Sequence, residues 1–354
     1  MVDVNPGGNP ELLTTTLKGV SRAFYLTLRV LPKPLRAPIG LAYLLARAAD
    51  TIADTAIVPS AQRLDHVRSF RAVLEGRTGR SAIGEIQATV AGAQADDGER
   101  RLIAALPDVF SLLETLPPDD AVRVRTIVVT LTHGMKIDLT TFPPEESGRI
   151  AALKTREELD RYTYYVAGCV GEFWTEMCMA HIPGLEKRWD RARMVDRGVH
   201  FGKALQMTNV LRDVPKDLRI GRCYIPEAEL GPLGLTPQSL MEASAGQAAR
   251  PALLALLRVT LDHYVAAEAY LTAIPRRHVR LRLAVLWPIL IGLATLGKLA
   301  RNDRWLDPSV PSKVSRRWVY RTMLLSMPMA MSSGLLRRWI KRLRRQVEQG
   351  IGVG

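Results

Sequence analysis

The sequence predicts an all-α protein, and three observations support this fold class. Apolar residues recur at intervals of three and four along most of the 354-residue chain, as on one face of an α-helix. Long runs are rich in Ala, Leu, Arg and Glu, whereas the alternation of Val, Ile and Thr that is typical of strands is scarce. Clusters of glycine, proline and acidic residues interrupt these runs at positions suited to helix connections. The clearest interruptions are residues 32–38, 91–98, 142–148 and 221–237.

No internal repeat, low-complexity stretch or linker divides the chain. We therefore expect a single helical bundle domain over residues 15–320, with a flexible N-terminus at 1–14 and a basic, amphipathic C-terminal tail at 321–354. The hydrophobic share of 47% and the charged share of 24% are typical of globular proteins. The most apolar stretch, residues 283–297, is shorter than the roughly 20 residues of a membrane span, so we expect a buried central helix there.

The net charge of +14 is concentrated near the C-terminus. Residues 301–354 hold 12 Lys and Arg against 3 Asp and Glu, a balance of +9 that leaves +5 for the preceding 300 residues. In the tail, Leu336, Trp339, Ile340, Leu343 and Val347 share one helical side that arginines surround. This pattern predicts an interfacial helix on an anionic membrane surface, and docking of the helix on the domain is the main alternative. Nucleic acid is not expected as a partner, because no recognition motif accompanies the charge.

The cysteines and the first residues bear on the compartment. Cys169, Cys178 and Cys223 form no CxxC pair and predict neither a disulfide framework nor a zinc site. The N-terminal residues lack the charged-then-apolar pattern of a signal peptide. We therefore expect a cytoplasmic protein, which would be peripheral on the cytoplasmic membrane face if the tail binds lipid.

A first group of polar residues, Tyr43, Arg47, Asp50 and Asp54, is spaced by four, three and four residues. This spacing places all four on one helical face, among neighbours that are mainly Ala, Leu and Ile. Two carboxylates four residues apart repel each other, and the repulsion grows when they are desolvated. The pair therefore predicts a bound cation, unless it is a solvated face that Arg47 neutralises.

A second group, Gln206, Asn209, Asp213 and Asp217, follows the same helical spacing. Pro215 lacks an amide donor and predicts a kink or an end of the helix within the group. The alternative is that neighbouring Arg and Lys side chains simply neutralise these aspartates. Carboxylates without nearby His or Cys suit magnesium, which binds through one or two carboxylates while phosphate and water oxygens complete its shell. Two such pairs indicate a metal-diphosphate site.

Around these residues the sequence resembles the squalene and phytoene synthase family. Ser21, Arg22 and Phe24 are similar to the Ser-Arg-Ser-Phe flap of that family, and both aspartate groups match its Asp-rich motifs. Residues 161–171, RYTYYVAGCVG, resemble its tyrosine-rich signature, and residues 221–226, GRCYIP, resemble the segment after the second motif. The resemblance implies the isoprenoid synthase fold, a helical bundle with a central active-site cavity.

The resemblance also implies roles for individual residues. Those that would hold Mg²⁺, with Mn²⁺ as an alternative, are Asp50, Asp54, Asn209, Asp213 and Asp217. Those that would bind substrate diphosphate are Ser21, Arg22, Arg47, Gln206, Asn209, Arg212 and Arg222. The catalytic set adds three tyrosines to the four aspartates, namely Tyr43, Tyr162 and Tyr165. The prenyl-chain cavity would be lined by Phe24, Ala167, Gly168 and Gly171.

The reaction implied is the head-to-head condensation of two farnesyl diphosphates through presqualene diphosphate, followed by NADPH-dependent reduction to squalene. Lys313 and Arg316 resemble a basic segment near the NADPH site of the squalene-forming members, although a solvated basic patch is the alternative. No GxGxxG fingerprint follows a strand, so NADPH is expected to bind without a Rossmann motif. Ala284 stands where animal squalene synthases have an aromatic ring, so Trp287 or Phe24 is expected to stabilise the second cation.

Three alternatives to a squalene-forming enzyme remain. Within the family they are a phytoene or dehydrosqualene synthase and a presqualene diphosphate synthase, which omit the reduction. Outside it, the chain would be a noncatalytic helical assembly subunit. We expect a monomer that acts in isoprenoid biosynthesis, on the way to sterols or hopanoids.

Overall fold

The computed structural model describes residues 12–21 and 24–352, apart from the side chains of Phe24 and Leu26. The all-α prediction is confirmed, because helices make up nearly all of the regular structure in these residues. Strands β1 (Ala151–Ala152) and β2 (Arg222–Cys223) pair in parallel, with Ala151 opposite Arg222. Two segments are π-helical, Leu12–Thr16 and Tyr164–Gly168.

The α-helices are numbered in chain order. Those up to residue 141 are α1 (Leu17–Ser21), α2 (Phe24–Val30), α3 (Lys33–Asp54), α4 (Ser60–Leu74), α5 (Ser81–Val90), α6 (Asp97–Ala104), α7 (Leu106–Glu114) and α8 (Pro118–Thr141). Those that follow are α9 (Arg156–Thr163), α10 (Cys169–His181), α11 (Leu185–Arg188), α12 (Arg191–Arg219), α13 (Glu227–Leu230), α14 (Arg250–Ala273), α15 (Val279–Leu299), α16 (Arg316–Met329) and α17 (Ser333–Gly352). The 3₁₀ turns are Glu145–Ser147, Gly231–Leu233, Ser239–Met241 and Ala243–Gly246.

The helices form two compact units, although the sequence predicted a single domain. Unit 1 comprises the described residues up to Leu139 together with Met177–Pro183. Unit 2 comprises Thr140–Glu176 and the described residues from Gly184 onward. In unit 1, α3 lies at the centre and packs against α4, α6 and α7 through a face of small and branched apolar side chains.

The core of unit 2 is built from α12, α14 and α15, which pack against one another. Helix α15 is apolar on nearly all sides, and the predicted buried central helix is confirmed. Among the described residues it is also the one helix long and apolar enough to cross a membrane, but 72% of that stretch is buried within the protein. Arg282 is fully buried at its start, where it donates to the carbonyl of Ile274 at 3.0 Å and to the hydroxyl of Ser333 at 3.1 Å.

The predicted connection at 32–38 reduces to Leu31 and Pro32 between α2 and α3, and helix α12 does not end at Pro215. Residues 33–38 belong to α3, whose first turn holds Pro34, where no intrahelical amide donor is needed, and whose interior holds Pro38. Helix α12 continues through Pro215 to Arg219, so Asp213 and Asp217 lie on the same helix. It ends before Gly221, whose φ of +81° turns the chain out of the helix. The predicted connections at 91–98, 142–148 and 221–237 are confirmed.

Of the predicted flexible N-terminus at 1–14, residues 1–11 lie outside the described residues, and residues 12–14 belong to a π-helical turn. Leu12 is buried and begins a π-helical turn that packs against α3, so the ordered domain starts before residue 15. The tail is not separate from the domain, because α16 runs across residue 320 and α17 packs on α15 and α14. Leu336, Ile340 and Val347 are each 0% exposed, as the docking alternative expected. The apolar side of α17 that was predicted to enter a membrane is therefore buried in unit 2.

Candidate active site

The first aspartate group lies on the last three turns of α3, in unit 1. The helix buries Leu44, Ala48 and Ile52 and turns the opposite side outward, so that Asp50 is half-buried and Asp54 exposed. The side chain of Asp50 is 43% exposed, which leaves its carboxylate accessible to a ligand. The hydrophobic pattern of α3 therefore orients this motif.

Arg47 connects this motif with α6. Its guanidinium donates to Asp50 at 2.6 Å and also forms a close ion pair with Glu99. Burial opposes the charge of Arg47, but the carboxylates of Asp50 and Glu99 outweigh burial and raise its pKa. Glu99 is held by the start of α6, where the side chain of Asp96 accepts from the Gly98 and Glu99 amides.

Helix α1 contributes two contacts to the same region of unit 1. Tyr43 donates its hydroxyl to the carbonyl of Val20 at 3.4 Å. Ser21 is buried and donates to the carbonyl of Leu17 at 2.5 Å, within its own helix. Its hydroxyl is therefore engaged in the helix, whereas it was predicted to bind diphosphate. Arg22 and the side chain of Phe24 lie outside the described residues.

The second aspartate group lies on α12, in unit 2. Gln206, Asn209, Asp213 and Asp217 follow one side of the helix, and the opposite side is buried through Ala204, Leu211 and Leu218, among others. Arg212 forms a bidentate ion pair with Asp213, in which Nε lies 2.8 Å from Oδ1. Both side chains are 26% exposed, so the pair lies at the surface of the unit.

Gly221 and Arg222 follow the second motif directly. A Cβ atom on Gly221 would lie 2.7 Å from the carbonyl oxygen of Arg149, and its φ of +81° is one that other residues rarely adopt. The turn leads into β2, where Arg222 is mostly buried, with Nη2 3.8 Å from a carboxylate oxygen of Glu145. Only glycine allows α12 to end so close to this strand pair, and this fixes the backbone that carries Arg222.

The tyrosine-rich signature contains the π-helical segment Tyr164–Gly168 between α9 and α10. Single π-helical turns within helices are frequent at functional sites. Tyr162, just before it, is buried and stacks on Tyr224 with ring centroids 4.8 Å apart. Tyr165 is half-buried and lies edge-on to Tyr164 at 5.6 Å. Tyr162 thus belongs to an aromatic core cluster. Tyr165 is the more accessible of the two tyrosines in this signature that were predicted to be catalytic.

Two of the residues predicted to line a prenyl cavity pack against α12. A Cβ atom on Gly171 would lie 1.8 Å from the carbonyl oxygen of Gly198. A Cβ atom on Gly168 would meet the side chains of Tyr164, Val199 and Lys203 between 3.2 and 3.4 Å. Both glycines therefore serve the close packing of this segment on α12. Ala167 keeps a half-exposed side chain, while its carbonyl contacts Gly202.

Three residues bear on the predicted reduction. Lys313 and Arg316 are both exposed, in the loop before α16 and at the start of that helix, so cationic side chains and helix amides lie near each other there. Both features suit phosphate groups. Trp287 is buried and donates its indole N–H to Ser326 of α16 at 2.9 Å, which makes it a contact between α15 and α16.

Some polar contacts near these motifs were not predicted from the sequence. Glu99 is 52 residues from Arg47, and no local pattern links them. Lys203 is mostly buried and donates to both carboxylate oxygens of Asp160, at 2.7 and 2.8 Å. Tyr164 donates to Glu172 at 3.1 Å, and burial followed by this carboxylate raises the pKa of Tyr164 to about 12. Only the i,i+8 spacing of Tyr164 and Glu172 across two helical turns could have suggested a pair.

Each aspartate pair has the donor chemistry that magnesium requires. Both expose carboxylate oxygens, and each has an arginine at its first aspartate. No group of three or more His, Cys, Asp and Glu side chains that could hold a metal ion forms within the described part of the chain. A magnesium ion at either pair would therefore complete its shell with water and phosphate oxygens, as this ion commonly does.

Known proteins place the chain in a family. Residues 17–318 match the model described as squalene/phytoene synthase. A bifunctional lycopene cyclase/phytoene synthase of Phaeosphaeria nodorum is 26% identical over 261 residues, which are 73% of this chain and 41% of that protein. A squalene synthase of Eremothecium gossypii is 25% identical over 297 residues, 83% of this chain and 63% of that protein. The chain thus spans less than two thirds of the length of these two relatives.

A third relative and two solved structures complete the comparison. A presqualene diphosphate synthase of Rhodopseudomonas palustris is 27% identical over 258 residues, 73% of this chain and 77% of that protein. A ligand complex of TcSQS has a TM-score of 0.71 at 20% identity and covers 98% of this chain and 99% of that chain. A dehydrosqualene synthase complex has a TM-score of 0.61 at 20% identity, over 91% of this chain and 95% of that chain.

The structural likeness confirms the predicted all-α isoprenoid synthase fold. The relatives make three different products, so at their level of identity they leave the particular reaction open. The family model covers most of the chain and contains both aspartate motifs, the tyrosine-rich signature and the glycine turn before Arg222. The chain therefore belongs to the squalene/phytoene synthase family.

Proposed function

We propose that this protein is a squalene synthase, which condenses two farnesyl diphosphates head to head and reduces presqualene diphosphate with NADPH. One repeated arrangement supports the diphosphate chemistry. In each motif an arginine forms an ion pair with the first of two aspartates four residues apart, Arg47 with Asp50 and Arg212 with Asp213.

Each of these arginine–aspartate pairs suits a group that alternates between an empty and a diphosphate-bound state. Without substrate, each guanidinium offsets the repulsion between the paired carboxylates. With substrate, the same guanidinium can donate to diphosphate oxygens, for which its planar fork is well shaped. Magnesium bound by the aspartates would stabilise negative charge on the departing diphosphate.

The protein residues have distinct tasks in the proposed first half-reaction. The C–O bond of one farnesyl diphosphate breaks, diphosphate leaves, and the allylic cation is attacked by the double bond of the second substrate. Loss of a proton then closes the cyclopropane ring of presqualene diphosphate. Arg47, Arg212 and Arg222 would hold diphosphate oxygens. The half-buried ring of Tyr165 would face the cation, and its hydroxyl oxygen would assist removal of the proton.

In the proposed second half-reaction, presqualene diphosphate loses its remaining diphosphate, rearranges and accepts a hydride. NADPH supplies that hydride. Lys313 and Arg316 would bind its phosphate groups, since both are exposed cations beside the start of α16. The contact of Trp287 with Ser326 favours a packing role for the Trp287 ring. Other groups would therefore stabilise the cation that forms from presqualene diphosphate.

A presqualene diphosphate synthase is the second candidate, because a relative with that name matches over 77% of its length. The test incubates the purified chain with farnesyl diphosphate and Mg²⁺, with and without NADPH, and identifies products by mass spectrometry. We expect squalene with NADPH and presqualene diphosphate without it. Presqualene diphosphate as the end product in both reactions would support the second candidate, and dehydrosqualene would exclude both. A parallel reaction with EDTA tests the metal requirement and should yield no product.

We further propose that the protein acts as a monomer in the cytoplasm, in a route that leads to sterols or hopanoids. All three cysteines are buried and none of them forms a disulfide, which suits a reducing compartment. Size-exclusion chromatography with light scattering would test the monomer, and cell fractionation would test the compartment.

A further inference from the structure

Exposed apolar side chains are concentrated on α16 and the turn after it. Of the eleven large apolar side chains that are exposed among the described residues, six lie between Tyr320 and Leu335. Four of them, Tyr320, Leu324, Met327 and Met331, are spaced by four, three and four residues and are 61%, 68%, 49% and 62% exposed. They form one helical stripe that faces solvent, which we call the α16 stripe.

The buried side of α16 is a different set of residues. Thr322, Met323 and Ser326 are buried, and Ser326 accepts from the indole of Trp287 on α15. The helix is thus docked in unit 2 through a side that includes two hydroxyl residues, and it leaves the α16 stripe in water. This reverses the usual arrangement of a surface helix, and an exposed apolar stripe of this kind commonly marks an interaction surface.

The charge around the stripe is uniformly positive. Residues 308–347 contain ten Lys and Arg and no Asp or Glu. On α16, Arg317 and Arg321 are exposed beside the stripe, and on α17 the exposed side carries Arg337, Arg338, Lys341, Arg342 and Arg345. Among the described residues these seven side chains form no ion pair. An open depression of about 610 Å³ runs along the α17 side, lined by Arg338, Lys341, Arg342, Arg345, Gln346 and Gln349.

We propose that the α16 stripe and the basic side of α17 form a docking surface for an anionic lipid membrane. The stripe would enter the boundary between headgroups and acyl chains, and the arginines would bind lipid phosphates. Charge complementarity favours this occupant over a second copy of the chain, which would bring ten further cations onto the same surface. A membrane also accounts for the apolar side chains beside the charge, because a nucleic acid would leave the α16 stripe uncovered.

This surface differs from the one that the sequence pattern predicted. The apolar side of α17 is buried against α15, so α17 contributes only its basic side. The one described helix that is both long and apolar enough to span a bilayer is mostly buried within unit 2, so this surface would bind lipid at the membrane interface. The proposal does not depend on which isoprenoid the enzyme makes.

Co-sedimentation of the full chain with vesicles tests the proposal. We expect binding to vesicles of phosphatidylcholine and phosphatidylglycerol in equal parts, little binding to pure phosphatidylcholine, and release at high salt. The double variant Leu324→Glu/Met331→Glu should bind at least about tenfold more weakly, because it removes two apolar side chains from the stripe. Ile57→Glu, at an 80% exposed apolar position in unit 1, is the matched control and should bind like the wild type.

Adjacent pairs of cations provide a second comparison. Arg337→Gln/Arg338→Gln should weaken binding about 30-fold, at about fivefold per basic residue near an anionic surface. Lys187→Gln/Arg188→Gln changes an equally exposed adjacent pair on α11 and should leave binding within about twofold. Equal binding to both vesicle types, or no effect of the stripe variant, would overturn the proposal. A dimer in light scattering that the stripe variant dissociates would instead assign the surface to a second copy of the chain.

Discussion

Gly171 and Gly198 meet backbone to backbone, since a Cβ atom on Gly171 would lie 1.8 Å from the carbonyl oxygen of Gly198. The converse is also true, because a Cβ atom on Gly198 would lie 2.6 Å from the carbonyl oxygen of Gly171. One turn further along α12, a Cβ atom on Gly202 would lie 2.0 Å from the carbonyl oxygen of Ala167. The tyrosine-rich segment is therefore held against the helix of the second aspartate motif by contacts that admit no side chain.

Gly171→Ala should lower the free energy of unfolding by about 3 kcal/mol or more, because the added methyl group meets rigid backbone. Urea unfolding followed by circular dichroism measures this. Gly84→Ala is the matched control, since Gly84 lies in helix α5 with nothing within 4 Å of the added atom. There alanine should stabilise the protein by about 0.5–1 kcal/mol. A Gly171→Ala variant as stable as the wild type would contradict the close packing.

Asp50→Asn and Asp213→Asn should each lower turnover about a hundredfold or more, since each removes a charge that the proposed chemistry requires. Melting temperatures should change little, because both ion pairs are partly exposed. Asp65→Asn is the control: Asp65 pairs with Arg68 at 3.0 Å in the same i,i+3 relation as Asp50 with Arg47, on the exposed surface of α4. Its turnover should be normal. Unchanged turnover in both motif variants, and in Asp54→Ala, would show that neither aspartate pair takes part in the reaction.

Gly221→Ala should reduce stability and raise the KM for the diphosphate substrate, because it combines an unfavourable φ with a contact of 2.7 Å to the carbonyl of Arg149. Gly234→Ala separates the two effects, since Gly234 also has a positive φ, +68°, but nothing lies within 4 Å of the added atom. The control should lose about 1–2 kcal/mol from backbone strain alone, with an unchanged KM. We expect a larger loss of unfolding free energy in Gly221→Ala than in Gly234→Ala. Equal losses and equal KM values in the two variants would show that the close contact with the Arg149 carbonyl does not position Arg222.

His263 should make the protein less stable in mild acid. Burial, followed by the charges of His200 and Lys203, lowers the pKa of His263 to about 4, although Asp160 acts in the opposite direction. The folded state therefore keeps this ring neutral where the unfolded chain, with an ordinary pKa of about 6.5, takes up a proton. The resulting loss of stability begins below pH 6.5 and is complete near pH 4.

Unfolding of the wild type and of His263→Gln at pH 7 and pH 5 tests this. Between these two values the wild type should lose about 2 kcal/mol more than the variant. Equal losses in the two proteins would show that His263 is protonated in the folded state. The contact of His263 Nδ1 with His200 Nδ1, at 2.7 Å, makes His200→Gln an informative second variant, since it removes a neighbour that lowers the pKa.

Helical periodicity was sufficient to predict the all-α fold, the buried apolar helix and the face on which each aspartate pair lies. These features depend on residues three and four apart, whose relation is fixed by the geometry of a helix. Proline was a poor guide, because its effect depends on position: Pro38 and Pro215 are accommodated within helices, while Gly221 ends α12.

Contacts between distant parts of the chain could not be predicted. Nothing near Arg47 indicates that it pairs with Glu99, and nothing in the VAGCVG segment shows that Gly171 meets Gly198. The tail shows the same limit, because its hydrophobic pattern fits a lipid surface and a protein surface equally well.

The sequence by itself determined the helices, the two aspartate motifs with their arginines and the family. These depend on local spacing and on residue types. The tertiary structure decided which apolar faces are covered: the apolar side of α17 is buried against α15, while the α16 stripe stays in water. The reason is physical, since burial depends on which surfaces the folded chain brings together, and a periodic apolar face specifies only that some partner is needed.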